Sequence, residues 1–304
     1  MVIPKHKFAH WKSTGADAGS AAARQKILST LKLPRSPLQN KSVSYTAYLQ
    51  GSYRNHTHTR GSSDVDVVVE LTSTFRKDLS ELEPDEKRRY NNDKNPASYS
   101  YASFYRDVYK ALKLRFSKTS SNPLSQGNKS IKIDSDLTSI ISVDVDIIPC
   151  IQYRYYRTYP KVGSPDVDKG IYFIPRNSTE PIISYPKIHY ENSKDKHQNY
   201  RETVRIFKNA TRYYNKYYSS FRSVDASSFL IECLIYNIPK RILKISDRST
   251  RFLRVLNFLR ADSTDISGFL TVSEMYALFG DDERRTIKTA EQFASRLYNM
   301  WINY

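Results

Sequence analysis

Two short segments constrain the fold of this 304-residue chain more than any others: Asp64-Val65-Asp66-Val67-Val68-Val69-Glu70-Leu71 and Ser142-Val143-Asp144-Val145-Asp146-Ile147-Ile148-Pro149. In both, acids alternate with apolar residues, most of them β-branched. Alternate residues of a strand point to opposite faces. Asp64 and Asp66 therefore share one face, while Val65, Val67 and Val69 turn the other way, into a core. Two neighbouring anions in an otherwise apolar strand are costly unless a cation sits between them. A hard divalent ion is the natural partner, since Mg²⁺ takes carboxylate oxygens together with substrate phosphates. The plainer reading, two solvated acids on an exposed strand, is disfavoured by what precedes them. Gly51-Ser52 ends one strand and opens a loop or helix, where exposed amides and a hydroxyl suit a triphosphate. In the second segment Asp144 and Asp146 share a face, and periodicity alone leaves both as candidates for a third ligand.

The rest of the chain divides by period. Residues 20–32 are rich in helix formers and predict a helix. Residues 43–50 alternate and predict a strand. Residues 76–97 mix charges with Asn and Pro and read as a solvated excursion. A helix over 99–116 places Tyr101, Phe104, Val108, Leu112 and Phe116 near one face, with Arg106, Lys110 and Lys113 on the other. Strands are expected at 129–134 and 139–149, after which the tract 151–160 leaves the sheet. Helices are expected at 199–217, 226–236, 247–260, 271–279 and 282–301. Strands thus dominate the first half and helices the second, an α+β sheet lobe over 1–190 followed by a helical lobe over 191–304.

Composition narrows the partners. No run of eighteen apolar residues occurs, so no membrane helix is expected, and the N-terminal residues lack a signal-peptide core. The two cysteines, Cys150 and Cys233, lie in apolar runs and read as buried reduced thiols. A cytoplasmic protein is expected. Lys and Arg number 48 against 31 acids, a net charge of +17, and an excess of that size favours polyanionic partners.

QGSYRNHTHTRGSSDVDVVV (50–69) and VDVDIIPC (143–150) together resemble the polymerase-β nucleotidyltransferase superfamily. More closely, the chain resembles the bacterial cyclic-oligonucleotide synthases of antiphage signalling, relatives of cyclic GMP–AMP synthase and oligoadenylate synthetase. IISYPKIHYEN, YRETVRIFKNATR, SSFLIECLIYNIP and the early HWKSTGADAGS extend the likeness over nearly the whole chain. The resemblance implies a catalytic palm, a mixed twisted sheet with flanking helices, and an active site in a cleft beside the helical lobe. It implies nucleoside triphosphate substrates joined into a cyclic di- or trinucleotide by two-metal in-line attack, with pyrophosphate released. Two Mg²⁺ or Mn²⁺ ions would rest on Asp64, Asp66 and Asp146. The family's third acid precedes two apolar residues and a proline, which selects Asp146 over Asp144. Gln50, Gly51 and Ser52 would grip the β- and γ-phosphates. Lys208 falls on the helix where the family places a triphosphate lysine. Ser228 opens the next helix and would add a hydroxyl; an ordinary helix cap is the competing reading, and Ser227 could take the role instead. Phe229 reads as a core residue, with base stacking as the alternative. His56 and His58 read as loop residues. Tyr153, Tyr155 and Tyr156 follow the third-acid strand, where family residues can approach nucleobases, but none receives a role.

Cations exceed what two nucleotides need. Arg205, Lys208, Arg212 and Lys216 form one face of a helix. Lys240, Arg241, Lys244, Arg248, Arg251 and Arg254 form a second tract, and Arg106, Lys110 and Lys113 a third. Structured RNA bound to such a surface is expected to regulate synthesis. The enzyme is otherwise expected to act as a monomer, away from membranes. Two alternatives stand beside this reading. A linear oligonucleotide synthase or RNA-end nucleotidyltransferase would use the same metal site with another acceptor. An RNA-binding sensor with a vestigial site is opposed by the intact triad of acids.

Overall fold

The alternating segment at 64–71 becomes the middle of a sheet. The computed structural model describes residues 3–15, 19–39, 41–60, 64–93, 96–117, 122–218, 223–280 and 285–304. Among these, the strands are β1 (Tyr45–Leu49), β2 (Val65–Asp78), β3 (Leu124–Gln126), β4 (Ile131–Ile133), β5 (Val145–Tyr156), β6 (Val167–Phe173) and β7 (Ile182–Ser184). The helices are α1 (Lys5–Trp11), α2 (Ser20–Leu31), α3 (Gly51–Arg54), α4 (Pro84–Asp93), α5 (Tyr101–Phe116), α6 (Pro186–Lys196), α7 (Tyr200–Tyr217), α8 (Ser228–Tyr236), α9 (Lys240–Leu243), α10 (Arg248–Arg260) and α11 (Ile287–Asn303). They gather into two compact units.

The sheet unit comprises Asp17–Tyr53 and Ser63–Lys187. Its strands run in the order β1-β2-β5-β4-β3, and β6 joins the far half of β5 and carries β7. Only β2 and β5 pair in parallel; the other pairings are antiparallel. One face is the core. Val65, Val67 and Val69 of β2 and Val145 and Ile147 of β5 pack with Ala23, Ile27 and Leu31 of α2 and with Phe104, Val108 and Leu112 of α5. Ser100 caps α5 by accepting the Ser103 amide at 3.2 Å, supplying a partner for one of the free amides at its start. The opposite face carries Asp66 near the start of β2, then Val68 packed with Tyr48, Ile148 and Cys150, then Glu70. Glu70 is buried and bonded to Tyr48 (2.9 Å), Gln152 (3.0 Å) and Lys187 (2.7 Å).

Two expectations fail here for identifiable reasons. Within the mixed-charge stretch 76–97, residues 76–78 continue a strand and 84–93 form a helix. β2 continues to Asp78, pairing with Gln152 to Tyr155 after an irregularity between Leu71 and Phe75. α4 then begins at a proline followed by Asp85 and Glu86, the pattern that favours a helix start. Residues 151–156 of the tract expected to leave the sheet stay in it, because β5 runs on to Tyr156 beside β6. Tyr153 and Tyr156 are buried there.

The second unit comprises Met1–Ala16, Arg54–Ser62 and Ile188–Tyr304. Phe8 and Trp11 of α1 enter a core with Phe207 of α7, Phe252 of α10 and Phe293 and Trp301 of α11. Phe207 stacks on Phe252 at 4.5 Å. The helix expected at 271–279 is absent: Leu270 bridges Ala277, and Glu274 has φ 60°, so the chain turns back instead. Residues 61–63 of the loop and 282–284 of the last expected helix lie outside the described residues. No described helix is long and apolar enough to cross a membrane. Cys150 and Cys233 are free and buried.

Candidate active site

Strand pairing assembles the acids. Asp66 of β2 stands directly opposite Asp146 of β5, and Lys132 of β4 faces Asp146 from the other side. The Lys132 ammonium lies 3.5 Å from Asp146 Oδ1 and 3.7 Å from Asp64 Oδ2. One cation therefore sits among three acids. Burial, with Asp146 and Asp64 nearby, pushes the Asp66 carboxyl up to about 7 against the opposing pull of Lys132. Burial also raises Asp146, where Lys132 opposes and Asp64 adds to the effect. Asp144 is occupied elsewhere. It accepts the Ser135 amide at 2.8 Å and the Ser135 hydroxyl at 2.7 Å, which hold its carboxyl below the ordinary range. Asp146 thus stands with Asp64 and Asp66, whereas Asp144 is bonded to Ser135.

Lys132 was not singled out in the sequence. Its signal is faint, a lone cation between the buried Ile131 and Ile133. Alternation puts it on the acid face, but only the pairing of β4 with β5 shows which acid it meets.

The loop that precedes the acids is fitted to them. Gly51 has φ +61°, a region that side chains with a Cβ rarely adopt. A methyl group there would also come within 2.6 Å of Asp66 Oδ2. The Gln50 amide donates to the Asp66 carbonyl at 2.9 Å, so the loop and β2 are tied through backbone as well. Ser52 follows in the first turn of α3 and is half-buried.

These residues fit a divalent cation by their charge. Asp66 is raised by burial and then by Asp146 and Asp64, and a bound cation would oppose all three. No three His, Cys, Asp or Glu side chains among the described residues converge as a ready cage. Mg²⁺ asks for less, since it is commonly held by one or two carboxylates plus substrate oxygens and water.

The helical unit holds a buried ion pair of its own. Lys208 of α7 is 8% exposed; its ammonium lies 2.6 Å from Glu232 Oε1 and 3.4 Å from the Thr57 hydroxyl. Glu232 of α8 also accepts from Thr57 (2.7 Å) and Asn55 (3.3 Å), and His189 Nε2 lies 3.0 Å away. Burial favours protonation of Glu232, but Lys208 and His189 outweigh it and hold the acid far below the usual carboxylate range. A cavity of about 250 Å³ opens beside Lys208, lined also by Thr59, Thr211, Arg212 and Ser228. Ser227, not Ser228, caps α8, accepting the Leu230 amide at 3.1 Å. Ser228 is therefore left to line the cavity. Phe229 is 38% exposed and so is not the core residue expected; it lies beside His189, ring centres 5.9 Å apart. Glu232 and His189 were missed because their partners are distant in sequence.

The basic tracts divide on inspection. Arg251 is 1% exposed and, with Arg248, is paired to Glu202 of α7. Arg251 is thus a buried tie between α7 and α10, and the expectation that it faces a polyanion is corrected; Arg248 is engaged in the same tie. Arg205 donates to the carbonyls of Lys12 and His56. Arg212 bonds the Arg60 carbonyl at 2.6 Å and the Thr59 hydroxyl at 3.0 Å. Arg106, Lys110, Lys113, Lys216 and Lys244 are exposed.

Comparison with known proteins gives this arrangement its class. Residues 35–161 match the nucleotidyltransferase domain, and residues 190–302 match the cGAS/DncV-like nucleotidyltransferase C-terminal helical domain. A cyclic nucleotide synthase of Staphylococcus haemolyticus is 36% identical, covering 99% of each chain. A cyclic UMP-AMP synthase of Rhodothermus marinus is 31% identical over 100% of this chain and 99% of its own. The solved structure of the Rhodothermus marinus c-UMP-AMP synthase with Apcpp and Upnpp superposes with a TM-score of 0.83 at 30% identity, covering 99% of this chain and 97% of that one. The chain belongs to the cGAS/DncV-like nucleotidyltransferases and is a nucleotidyltransferase enzyme. Members of this class generally use divalent metal ions.

Proposed function

We propose that the chain condenses nucleoside triphosphates into a cyclic di- or trinucleotide that serves as a second messenger in antiphage defence. The observation that carries the reading is the acid face itself. Asp66 is driven up to about 7 beside a glycine that both φ and the nearby carboxylate require. Such a site is short of positive charge at the place where a triphosphate loop meets it. The whole-length relatives named as cyclic nucleotide synthases support the same product class.

Asp64, Asp66 and Asp146 would hold two Mg²⁺ or Mn²⁺ ions. Bound there, the ions supply positive charge to the attacking and leaving oxygens of an in-line displacement. The protein does the rest. Gly51 leaves room for the Asp66 carboxylate, and the Gln50–Asp66 backbone bond keeps the loop in register with the acids. Ser52 offers its hydroxyl and amide to the phosphates. Lys208 and Ser228 line a polar cavity and offer an N–H and an O–H to phosphate oxygens. Asp146, opposite Asp66 in the sheet, would also help draw the proton of an acceptor ribose hydroxyl. Buried reduced thiols are in keeping with a cytoplasmic setting, where the substrates are found.

The same reading includes a regulator. Arg106, Lys110 and Lys113 are exposed along α5, and Lys216 and Lys244 are exposed on the helical unit. With a net charge of +17, these are the residues to which structured RNA would bind. Affinity should fall steeply with salt; weak binding of hairpin RNA even at low salt would remove this part.

The deciding experiment incubates the purified protein with ATP, GTP, CTP and UTP, singly and mixed, with Mg²⁺ or Mn²⁺. Products are treated with phosphatase and identified by mass spectrometry. A resistant product absent from the Asp64→Ala, Asp66→Ala double variant establishes cyclisation. A linear or RNA-attached product would overturn it in favour of another acceptor.

A further inference from the structure

Segment 55–60 belongs to the helical unit, where its side chains and carbonyls are bonded to α7 and α8. Asn55 and Thr57 donate to Glu232. The carbonyls of His56 and Arg60 accept from Arg205 and Arg212. Lys208, Thr57 and Glu232 close a triangle, because Thr57 donates to Glu232 Oε1 while Lys208 approaches both. An ammonium has three donors and no acceptor. Two are directed at Glu232 and Thr57, which leaves one for the cavity that Lys208 lines. Glu232 itself is 4% exposed, so it cannot meet a ligand of any size.

The geometry points to Glu232 as a positioning residue: it fixes the direction of the Lys208 ammonium and the path of segment 55–60, and so sets the affinity for the triphosphate group. This rests on the proposed triphosphate chemistry. A lysine with four rotatable bonds is otherwise a mobile point charge. Held at one end by a buried carboxylate, it presents its remaining N–H without a search among rotamers. The acid therefore strengthens phosphate binding without touching phosphate.

The test measures binding of a non-hydrolysable ATP analogue and of inorganic tripolyphosphate, each with Mg²⁺, to the full-length protein. Glu232→Gln, Lys208→Met and the double variant are compared with wild type, and hydrogen exchange is followed over residues 55–60. Glu232→Gln keeps the shape and loses the charge. It should weaken both ligands roughly tenfold, the size of one charge-assisted hydrogen bond. Lys208→Met should cost about as much, and the double variant no more than either, because the two act as one unit. Amide exchange over 55–60 should rise in Glu232→Gln. Wild-type affinity in a folded Glu232→Gln, or losses that multiply in the double variant, would overturn the role. Should Glu232→Gln not fold, Thr57→Val removes one corner of the triangle and is expected to weaken tripolyphosphate severalfold; unchanged affinity there overturns the role equally. Wild type that binds neither ligand sinks the triphosphate reading itself, an outcome separate from a wild type that binds while Glu232→Gln does the same.

Discussion

Asp66 and Glu232 are both shielded acids, one in each unit, yet they are displaced in opposite directions. Asp66 rises to about 7 because burial, then Asp146 and Asp64, outweigh the pull of Lys132. Glu232 falls far below its ordinary value because Lys208 and His189 meet it, with Asn55 and Thr57 completing its hydrogen bonds. Burial alone would raise both. The difference lies in the partners supplied by the fold. An acid with every partner in place holds structure together, whereas acids left short of positive charge are prepared for a cation from outside.

Breaking the two sites should therefore have different signatures. The largest effect is expected from Asp64→Ala with Asp66→Ala. Turnover should fall by at least about a thousandfold, since the double variant removes shared ligands of a charge-stabilising centre. Stability should not fall, because mutual repulsion leaves with the acids; product assays paired with thermal melts check both. Lys208→Met should instead lower stability along with triphosphate affinity. It takes the nearer cation from buried Glu232, leaving His189, Thr57 and Asn55 as its partners, at a cost of up to about 3–5 kcal/mol, read as a lower denaturant midpoint. The contribution of Glu232 has a defined pH window. Its folded value is depressed, so it stabilises above the unfolded carboxylate value of about 4.5 and is lost as pH falls below it. Wild type should thus lose more stability than Glu232→Gln on acidification.

Smaller effects sharpen the acid side. Gly51→Ala forces a Cβ into the left-handed region, a strain of about 1–2 kcal/mol. Because that Cβ also meets Asp66, catalysis should suffer beyond what the melting temperature reports. The raised Asp66 carboxyl makes cation binding at the acid face depend on pH. Below about 7 the carboxyl holds a proton that a cation must displace. Mn²⁺ affinity, followed by electron paramagnetic resonance, should rise by up to about tenfold per pH unit below 7 and level off above it. A flat profile from pH 5.5 to 8 would break the comparison between the two acids.

Much of the acid site was legible because a strand has a period of two. Asp64, Asp66 and the buried valines follow from alternation, and the loop glycine from the residues around it. Asp144 and Asp146 were not separable that way. What separates them is the turn at Ser135, a contact between segments that pattern does not connect. Segment 76–97 was misread because charged residues can still continue a strand when a neighbour such as β5 supplies its ladder. The helical unit was legible as helices but not as a network. Asn55 and Thr57 reach Glu232 across 177 and 175 positions, and no local periodicity carries such a pairing. Arg251 looked like a surface cation for the same reason, its acid partner lying on another helix.

The two cysteines carry a practical consequence. Cys150 and Cys233 have no exposed surface, and burial pushes both thiols up, away from the reactive thiolate. The native chain is therefore silent toward maleimides under folding conditions. A single cysteine placed at Val162, 89% exposed, would take a dye or spin label cleanly, so spectroscopic reporters can be attached one at a time without first stripping the protein of its own sulfur.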